Sequence, residues 1–284
     1  MLLLELDYIF YKEGKILKTA NFKVDLTKCI GCGICVKVCP GNMVGGNVLL
    51  MENGHPKFVN EYNFSWKGCW KCEHCLAICP NGAISILGIN ADEVSKKPSK
   101  SIKEDLPKLM KFRRSCRDFK KEEIAEDIID EMLEAVSHVP TGGNNQGLEF
   151  TVVYTKEAMR HIYQLYKGNQ LSLFDDENDD FSELRVYDAP HLFIAHKALS
   201  ERFYDGAMTE INIATAYFEL LANAYGFGTI ISTYSAELLS SNKEILKFLR
   251  IPENHKIINV VGFGYPKYQY QRGVKKIKTI NKIK

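Results

Sequence analysis

The feature that most constrains this chain is a cysteine run that occurs twice. Its copies are Cys29-Ile-Gly-Cys32-Gly-Ile-Cys35-Val-Lys-Val-Cys39-Pro40 and Cys69-Trp-Lys-Cys72-Glu-His-Cys75-Leu-Ala-Ile-Cys79-Pro80. Each places three cysteines at close, equal spacing, then a fourth one residue further off and followed by proline. Three thiolates so spaced wrap three corners of a cubane cluster, while the fourth ligates the cluster of the other run. The expected ligand sets are Cys29, Cys32, Cys35 and Cys79 for one [4Fe–4S] cluster, and Cys69, Cys72, Cys75 and Cys39 for the other. A pair of zinc centres is the competing assignment. Tetrahedral zinc, however, gives no reason for a third regularly spaced cysteine and a proline, twice over.

With eight of the nine cysteines claimed in this way, disulfides are not the expectation. Clusters of this kind are assembled under reducing conditions, so a cytoplasmic location is expected. The stretch Met1-Leu-Leu-Leu-Glu-Leu-Asp-Tyr-Ile-Phe10 has no basic leader, and Glu5 and Asp7 interrupt it, so it reads as a strand and not as a signal peptide. No apolar run reaches the roughly 20 residues of a membrane span. A formal net charge of +2 gives no argument for nucleic acid. The length of 284 residues allows one or two domains.

Along the chain, residues 1–27 read as irregular β structure with a turn at Glu13-Gly14. Between the cysteine runs, Val48–Met51 and Pro56–Val59 flank Asn53-Gly54, a hairpin signal. Val48–Met51 and Ala83–Leu87 each follow a Cys-Pro pair, which suggests an internal repeat. Residues 91–103 are polar and aperiodic and read as a linker. Domains are therefore expected at 1–95 and 104–284.

The second domain alternates helices and strands. Helices are expected at Glu122–Ser137, Lys156–Lys167, Asp205–Tyr225 and Ala236–Leu249, and strands at Glu149–Tyr154, Pro190–His196, Thr229–Ser232 and Ile257–Gly262. Asp205–Tyr225 carries little charge, as a helix buried in a domain centre or a subunit interface does. The fold class is α+β with a mixed sheet. The acidic run Asp175–Asp180 lacks metal-loop spacing and reads as a solvated loop.

Four stretches of this domain carry chemistry. In Arg113-Arg114-Ser115-Cys116-Arg117, placed just before the expected helix, guanidiniums suit a phosphate or an electron-rich ring, although a solvated basic turn has the same composition. In Pro140-Thr-Gly-Gly-Asn144-Asn145-Gln146, side-chain amides can pair with a heterocycle edge. The third is Gly226-Phe-Gly228-Thr229-Ile-Ile-Ser-Thr233. The fourth is Gly262-Phe-Gly264-Tyr265-Pro266-Lys267-Tyr268, with Arg272 beyond.

In this order and spacing the four stretches resemble the nitroreductase family of FMN enzymes over about residues 104–272, and residues 1–100 resemble two-cluster bacterial ferredoxins. The resemblance implies that Arg113, Arg114, Ser115 and Arg117 hold the FMN phosphate and the N1/O2 edge of the ring. It implies that Asn144, with Thr141 and Gln146 nearby, meets the pyrimidine edge. Ile231, Ser232 and Thr233 would supply backbone contacts near N5, and Arg272, helped by Lys275 or Lys276, would reach the phosphate. The chain departs from the pattern at Thr141, where some members have serine, and at Gly147-Leu148, where others carry lysine or Pro-Trp. A homodimer with FMN at the subunit interface is implied, and Val274–Lys284 either embraces the partner or is a solvated lysine-rich end.

The activity so implied is reduction of a small electrophile, a nitroaromatic or a quinone, with electrons passing between clusters and FMN and with NAD(P)H or a reduced ferredoxin as donor. An electron-transfer module serving another redox protein is the alternative. No protein nucleophile or acid–base dyad is expected. Cys116 reads as a neutral filler beside the phosphate loop, in preference to a reactive thiol. His74, inside a cluster loop, is either a tuning group or a surface histidine. The other histidines show no metal-ligand spacing.

Overall fold

A computed structural model describes residues 20–59, 68–94, 102–168, 184–198, 204–268, 270, 273 and 279–283. The expected strand at the chain start, the acidic run Asp175–Asp180, Arg272, Lys275 and Lys276 lie outside these residues. The chain divides into two compact units, Met1–Pro98 and Ser99–Lys284. Among the described residues no helix is long and apolar enough to cross a membrane.

In the first unit, β1 (Lys23–Val24) pairs antiparallel with β4 (Ile84–Ser85), and β2 (Leu49–Glu52) with β3 (His55–Phe58). The β2–β3 hairpin closes on Asn53-Gly54, both at positive φ (51° and 80°), the backbone that a two-residue hairpin turn needs. Short helices α1 (Ile34–Lys37), α2 (Pro40–Met43) and α3 (His74–Ile78) carry the rest.

The two cysteine runs follow the same backbone path. Gly31 and Lys71 sit at φ 68° and 52°, and Gly33 and Glu73 at 68° and 57°. Glycine takes these left-handed turns freely, whereas lysine and glutamate take them at a cost. Cys39 and Cys79 share φ −67°, with ψ 115° and 114°. The following proline forces that extended backbone and turns each fourth cysteine out of its helix.

The second unit is built on a five-stranded sheet ordered β5 (Glu149–Val153), β6 (His191–Ala198), β9 (Val260–Gly264), β7 (Gly228–Ser232), with β8 (His255–Ile257) also paired to β6. All these pairings are antiparallel. Among the described residues the parallel element is a single bridge between Ser115 and Thr229.

β6 is apolar on both faces because both are covered. Leu192 and Ile194 join α6 (Lys156–Lys167), α8 (Thr233–Ser240) and α9 (Lys243–Phe248) in one core. Phe193 and Ala195 join α5 (Glu126–Ser137) and α7 (Tyr204–Ala224) in another. Phe193 stacks on Phe218 of α7 with ring centroids 4.0 Å apart. Helix α7 is thus a central helix, as its low charge predicts.

Several boundaries differ from expectation. Helix α5 begins at Glu126, because Ile124 N–H donates to His191 Nε2 (2.8 Å) and Glu123 accepts Lys156 N–H (2.7 Å), tying the stretch before it to the sheet and to α6. The helix expected at Ala236–Leu249 is two helices. Asn242 accepts the N–H groups of Glu244 and Ile245, and so starts α9 as an N-cap. The strand expected at Ile257–Gly262 divides into β8 and β9. Helix α4 (Ile102–Phe112) occupies the end of the expected linker. The Arg113–Arg117 stretch therefore directly follows a helix, and residues 118–125 separate it from α5.

Candidate cofactor sites

In the first unit, Cys29, Cys32, Cys35 and Cys79 line one cavity together with Ile30, Ile34, Pro56, Pro80 and Ile84. The second set is equally gathered. Burial pushes the Cys75 thiol up to about 12, and Cys69, Cys72 and Cys39 lie close enough to repel its thiolate further. Burial likewise raises the Cys35, Cys69 and Cys72 thiols. Buried, mutually repelling thiolates are a poor resting state for an apolar pocket. They are a matched donor set for a polynuclear iron centre, which takes the place of the protons.

Two backbone groups already point at sulfur. Ala83 N–H donates to Cys79 Sγ (3.2 Å) and Lys71 N–H to Cys69 Sγ (3.4 Å), contacts that set the potential of a ligated cluster. His74 turns its Nδ1 to the Cys72 carbonyl oxygen at 3.1 Å and is exposed.

In the second unit, three of the four stretches meet at the β7–β9 end of the sheet. Cys116 N–H donates to the Thr229 carbonyl (2.8 Å), Lys120 N–H to that of Tyr265 (2.8 Å), and Lys267 N–H to that of Asp118 (2.9 Å). Gly228 pairs with Gly264 across β7 and β9. Two of these glycines are required by proximity. A Cβ on Gly228 would lie 2.7 Å from Cys116 Cβ and Sγ, and one on Gly264 would lie 2.5 Å from Pro190 Cδ. Cys116 is buried, its Sγ donates to the Asp118 carbonyl, and burial raises its thiol. That is the environment of a filler.

The guanidiniums are arranged unequally. Arg113 Nη1 pairs with Glu219 Oε1 of α7 at 2.8 Å, both groups largely buried. Arg114 folds back on the end of α4, donating to the Lys111 carbonyl (3.0 Å) and the Arg113 carbonyl (2.5 Å), as a cation at a helix C-terminus does. Its Nε is buried without a partner. Arg117 is exposed, with its guanidinium 5.8 Å from the Tyr187 ring centroid. Ile231 is 36% exposed on β7. Ser232 is buried as the N-cap of α8, accepting Ser235 N–H at 3.0 Å, and Thr233 beside it is exposed.

The remaining stretch, Pro140–Gln146, is held elsewhere. Thr141 Oγ1 accepts Gln146 N–H (3.1 Å), and Gly143, Asn144 and Gln146 all take positive φ. The loop hangs on Glu210 of α7, whose Oε1 accepts Gly142 N–H at 2.8 Å and whose Oε2 pairs with Lys197 Nζ of β6. Lys197 in turn donates to Asn145 Oδ1 at 2.9 Å. Glu210 and Glu219 are nine residues apart on α7. By helical periodicity they lie about 14 Å apart along the axis and half a turn out of phase. The Thr141–Gln146 loop and the Arg113 group therefore anchor on opposite faces of α7.

Sequence reasoning missed Glu210, Glu219 and Lys197. The available signal was two glutamates in the interior of a helix with little other charge, since glutamate is seldom buried unless paired.

Converging cysteines in one unit and an arginine-bearing α+β sheet in the other describe a redox protein of two parts. Residues 110–265 match the family model of the nitroreductase family, and residues 28–83 that of the 4Fe-4S dicluster domain. The chain belongs to the nitroreductase family: it is an oxidoreductase of that family with an N-terminal ferredoxin-type iron–sulfur domain.

A putative NADH dehydrogenase/NAD(P)H nitroreductase of Archaeoglobus fulgidus is 28% identical over 165 residues, covering 58% of this chain and 87% of that protein. The NAD(P)H-quinone oxidoreductase subunit I of Gloeobacter violaceus is 28% identical over 80 residues, 27% of this chain and 38% of that protein. A crystal structure of a nitroreductase with bound FMN from Bacteroides fragilis superposes with a TM-score of 0.52 at 22% identity, over 63% of this chain and 99% of that one.

Proposed function

We propose that the chain is an FMN- and iron–sulfur-dependent reductase of nitroaromatics, quinones or related small electrophiles, with two [4Fe–4S] clusters exchanging electrons with FMN. The observation that carries this reading is the meeting of the Arg113–Arg117 segment with β7 and β9. It brings three sequence-distant stretches together, and the segment carries a guanidinium, that of Arg114, whose Nε is buried without a partner. That orphan donor and the neighbouring cations suit a phosphate and an electron-rich ring edge. When bound, FMN supplies two-electron reduction, and the clusters supply single electrons.

The protein's part is to position and to polarise. Arg113 is fixed by Glu219, Arg114 by the end of α4, and Ser115 by its bridge to Thr229. Arg117 adds positive charge, which favours a reduced, anionic ring. Asn144 and Gln146, held at φ 55° and 49°, present amides from the Thr141–Gln146 loop. Because that loop anchors on the opposite face of α7, a site using both groups is completed by a second copy of the chain, which supports a homodimer. In the iron–sulfur domain, Cys29, Cys32, Cys35 and Cys79 serve one cluster, and Cys69, Cys72, Cys75 and Cys39 the other.

The second reading, an electron-transfer module for another redox protein, is favoured by exposed Ile30 and Ile34 (67% and 38%) lining the first cavity. Such an apolar rim suits protein docking. Purified holoprotein, kept anaerobic and mixed in turn with NADH, NADPH and reduced ferredoxin, separates the two. The proposed enzyme turns over a nitroaromatic or quinone with at least one of them, and flavin and cluster absorbance bleach in an order that names the entry point. Absence of turnover with all three donors would overturn the enzyme reading.

A further inference from the structure

Outside the cofactor sites, three side chains with metal-ligating atoms come together on one face of the sheet. Glu149 of β5 stands directly opposite His196 of β6, and His255 lies on β8, the other neighbour of β6. One ligand atom from each lies within 4.8 Å of the others. His196 is 2% exposed, and its Nδ1 faces His255 Nδ1 at 2.9 Å. Its other ring nitrogen, Nε2, meets Thr151 Oγ1 at 3.0 Å.

The Thr151 contact gives this cluster its chemistry. If the Nε2 proton of His196 is given to Thr151, the Nδ1 lone pair is left bare and aimed at the His255 ring. Two imidazole nitrogens so opposed need either a shared proton or a cation between them. Metal-binding imidazoles have their second nitrogen held by such a partner, which fixes tautomer and orientation. In a tetrahedral site with bonds of 2.0–2.1 Å, neighbouring ligand atoms stand about 3.3 Å apart. That spacing falls between the 2.9 Å of the two ring nitrogens and the 4.8 Å that bounds the three ligand atoms, and Glu149 is exposed.

We propose that Glu149, His196 and His255 form a site for a divalent first-row transition cation of the zinc class, with Thr151 positioning His196 and a fourth position open to water. Two imidazoles and a carboxylate are the donor set such ions select, and magnesium or calcium, which prefer oxygen, are disfavoured. The three ligands come from three adjacent strands, so the bound ion clips β5, β6 and β8 together at the edge of the sheet. Its ligands share no residue with the cysteine sets or the Arg113–Arg117 segment.

The test uses the intact holoprotein with zinc as the probe. Protein is stripped with EDTA, incubated anaerobically with a small excess of zinc sulfate, desalted, and assayed for zinc and iron by elemental analysis. The wild type is expected to retain about one zinc per chain more than either His255→Ala or Glu149→Gln, at unchanged iron content. Zinc is also expected to raise the melting temperature of the wild type and to leave that of both variants unmoved. Glu149→Gln alters an exposed side chain and keeps the comparison valid should His255→Ala fold poorly. Equal zinc in wild type and variants, or no retained zinc in the wild type, overturns the proposal.

Discussion

Glu210 is the residue on which the Thr141–Gln146 loop depends, and its replacement has a worked consequence. The carboxylate takes a backbone N–H from Gly142 with one oxygen and the Lys197 ammonium with the other. The side chains are 8% and 14% exposed, so water cannot replace either contact. In Glu210→Ala the ammonium keeps only Asn145, and the Gly142 N–H is orphaned. Removing one partner of a buried pair costs about 3–5 kcal/mol. For a domain of this size each kcal/mol shifts the melting temperature by about 2–4 °C, so a fall of order 10 °C is expected by circular dichroism. Lys197→Met strands the carboxylate and should cost nearly as much.

The double variant Lys197→Met, Glu210→Leu removes both charges and leaves only the Gly142 N–H unpaired, a cost of about 1–3 kcal/mol. It should therefore melt above either single variant, and that non-additivity is the signature of coupling. Bound flavin, read from its visible absorbance, should fall in all three, because the loop loses its anchor. If the double variant is as unstable as the two single losses added together, Glu210 and Lys197 act independently and the reasoning fails.

The crossed ligation has its own test. Cys79→Ser, a change in the second cysteine run, should remove the cluster of the first run, and Cys39→Ser the reverse. Iron content should roughly halve in each, and electron paramagnetic resonance of the reduced protein should lose the coupling between clusters; equal loss of both clusters in both variants would count against the assignment. Gly228→Ala should destabilise by about 1–3 kcal/mol through overpacking against Cys116, and Cys116→Ala in the same chain should restore much of the loss, as thermal unfolding would show. Burial raises the Cys116 thiol, so its thiolate forms only above the usual range near about 8.5. Iodoacetamide at pH 8 should label it far more slowly in the folded protein than in denaturant, and the folded-state rate should climb as pH rises. Fast labelling of Cys116 in the folded state would reopen the case for a reactive thiol.

What was legible in the sequence was what short-range geometry decides. The doubled cysteine spacing announces a repeated local path, and the paired φ values of Gly31 with Lys71 and Gly33 with Glu73 show that path drawn twice. The Asn53-Gly54 turn was legible for the same reason. The boundaries that slipped were those set from a distance. Glu122–Ala125 has helical periodicity, yet His191, 67 residues from Ile124, takes its backbone N–H. The division between α8 and α9 had a local signal in Asn242, whose capping preference outweighed the apolar periodicity on either side.

The groups that position the candidate sites belong to the long-range class almost without exception. Glu210 reaches Gly142 across 68 residues of chain, Arg113 reaches Glu219 across 106, and His196 meets His255 across 59. None of these pairs has a spacing to recognise, because sheet register and the placement of α7 create them. One consequence follows for α7. A helix apolar on nearly all sides has two faces to spend its few carboxylates on, and this one places Glu210 on one and Glu219 on the other. Each holds a different half of the candidate flavin site. On the proposed reading, Arg113 and Asn144 therefore reach one ring from two chains related by a two-fold axis, each chain lending the half that the other face of its own α7 holds away.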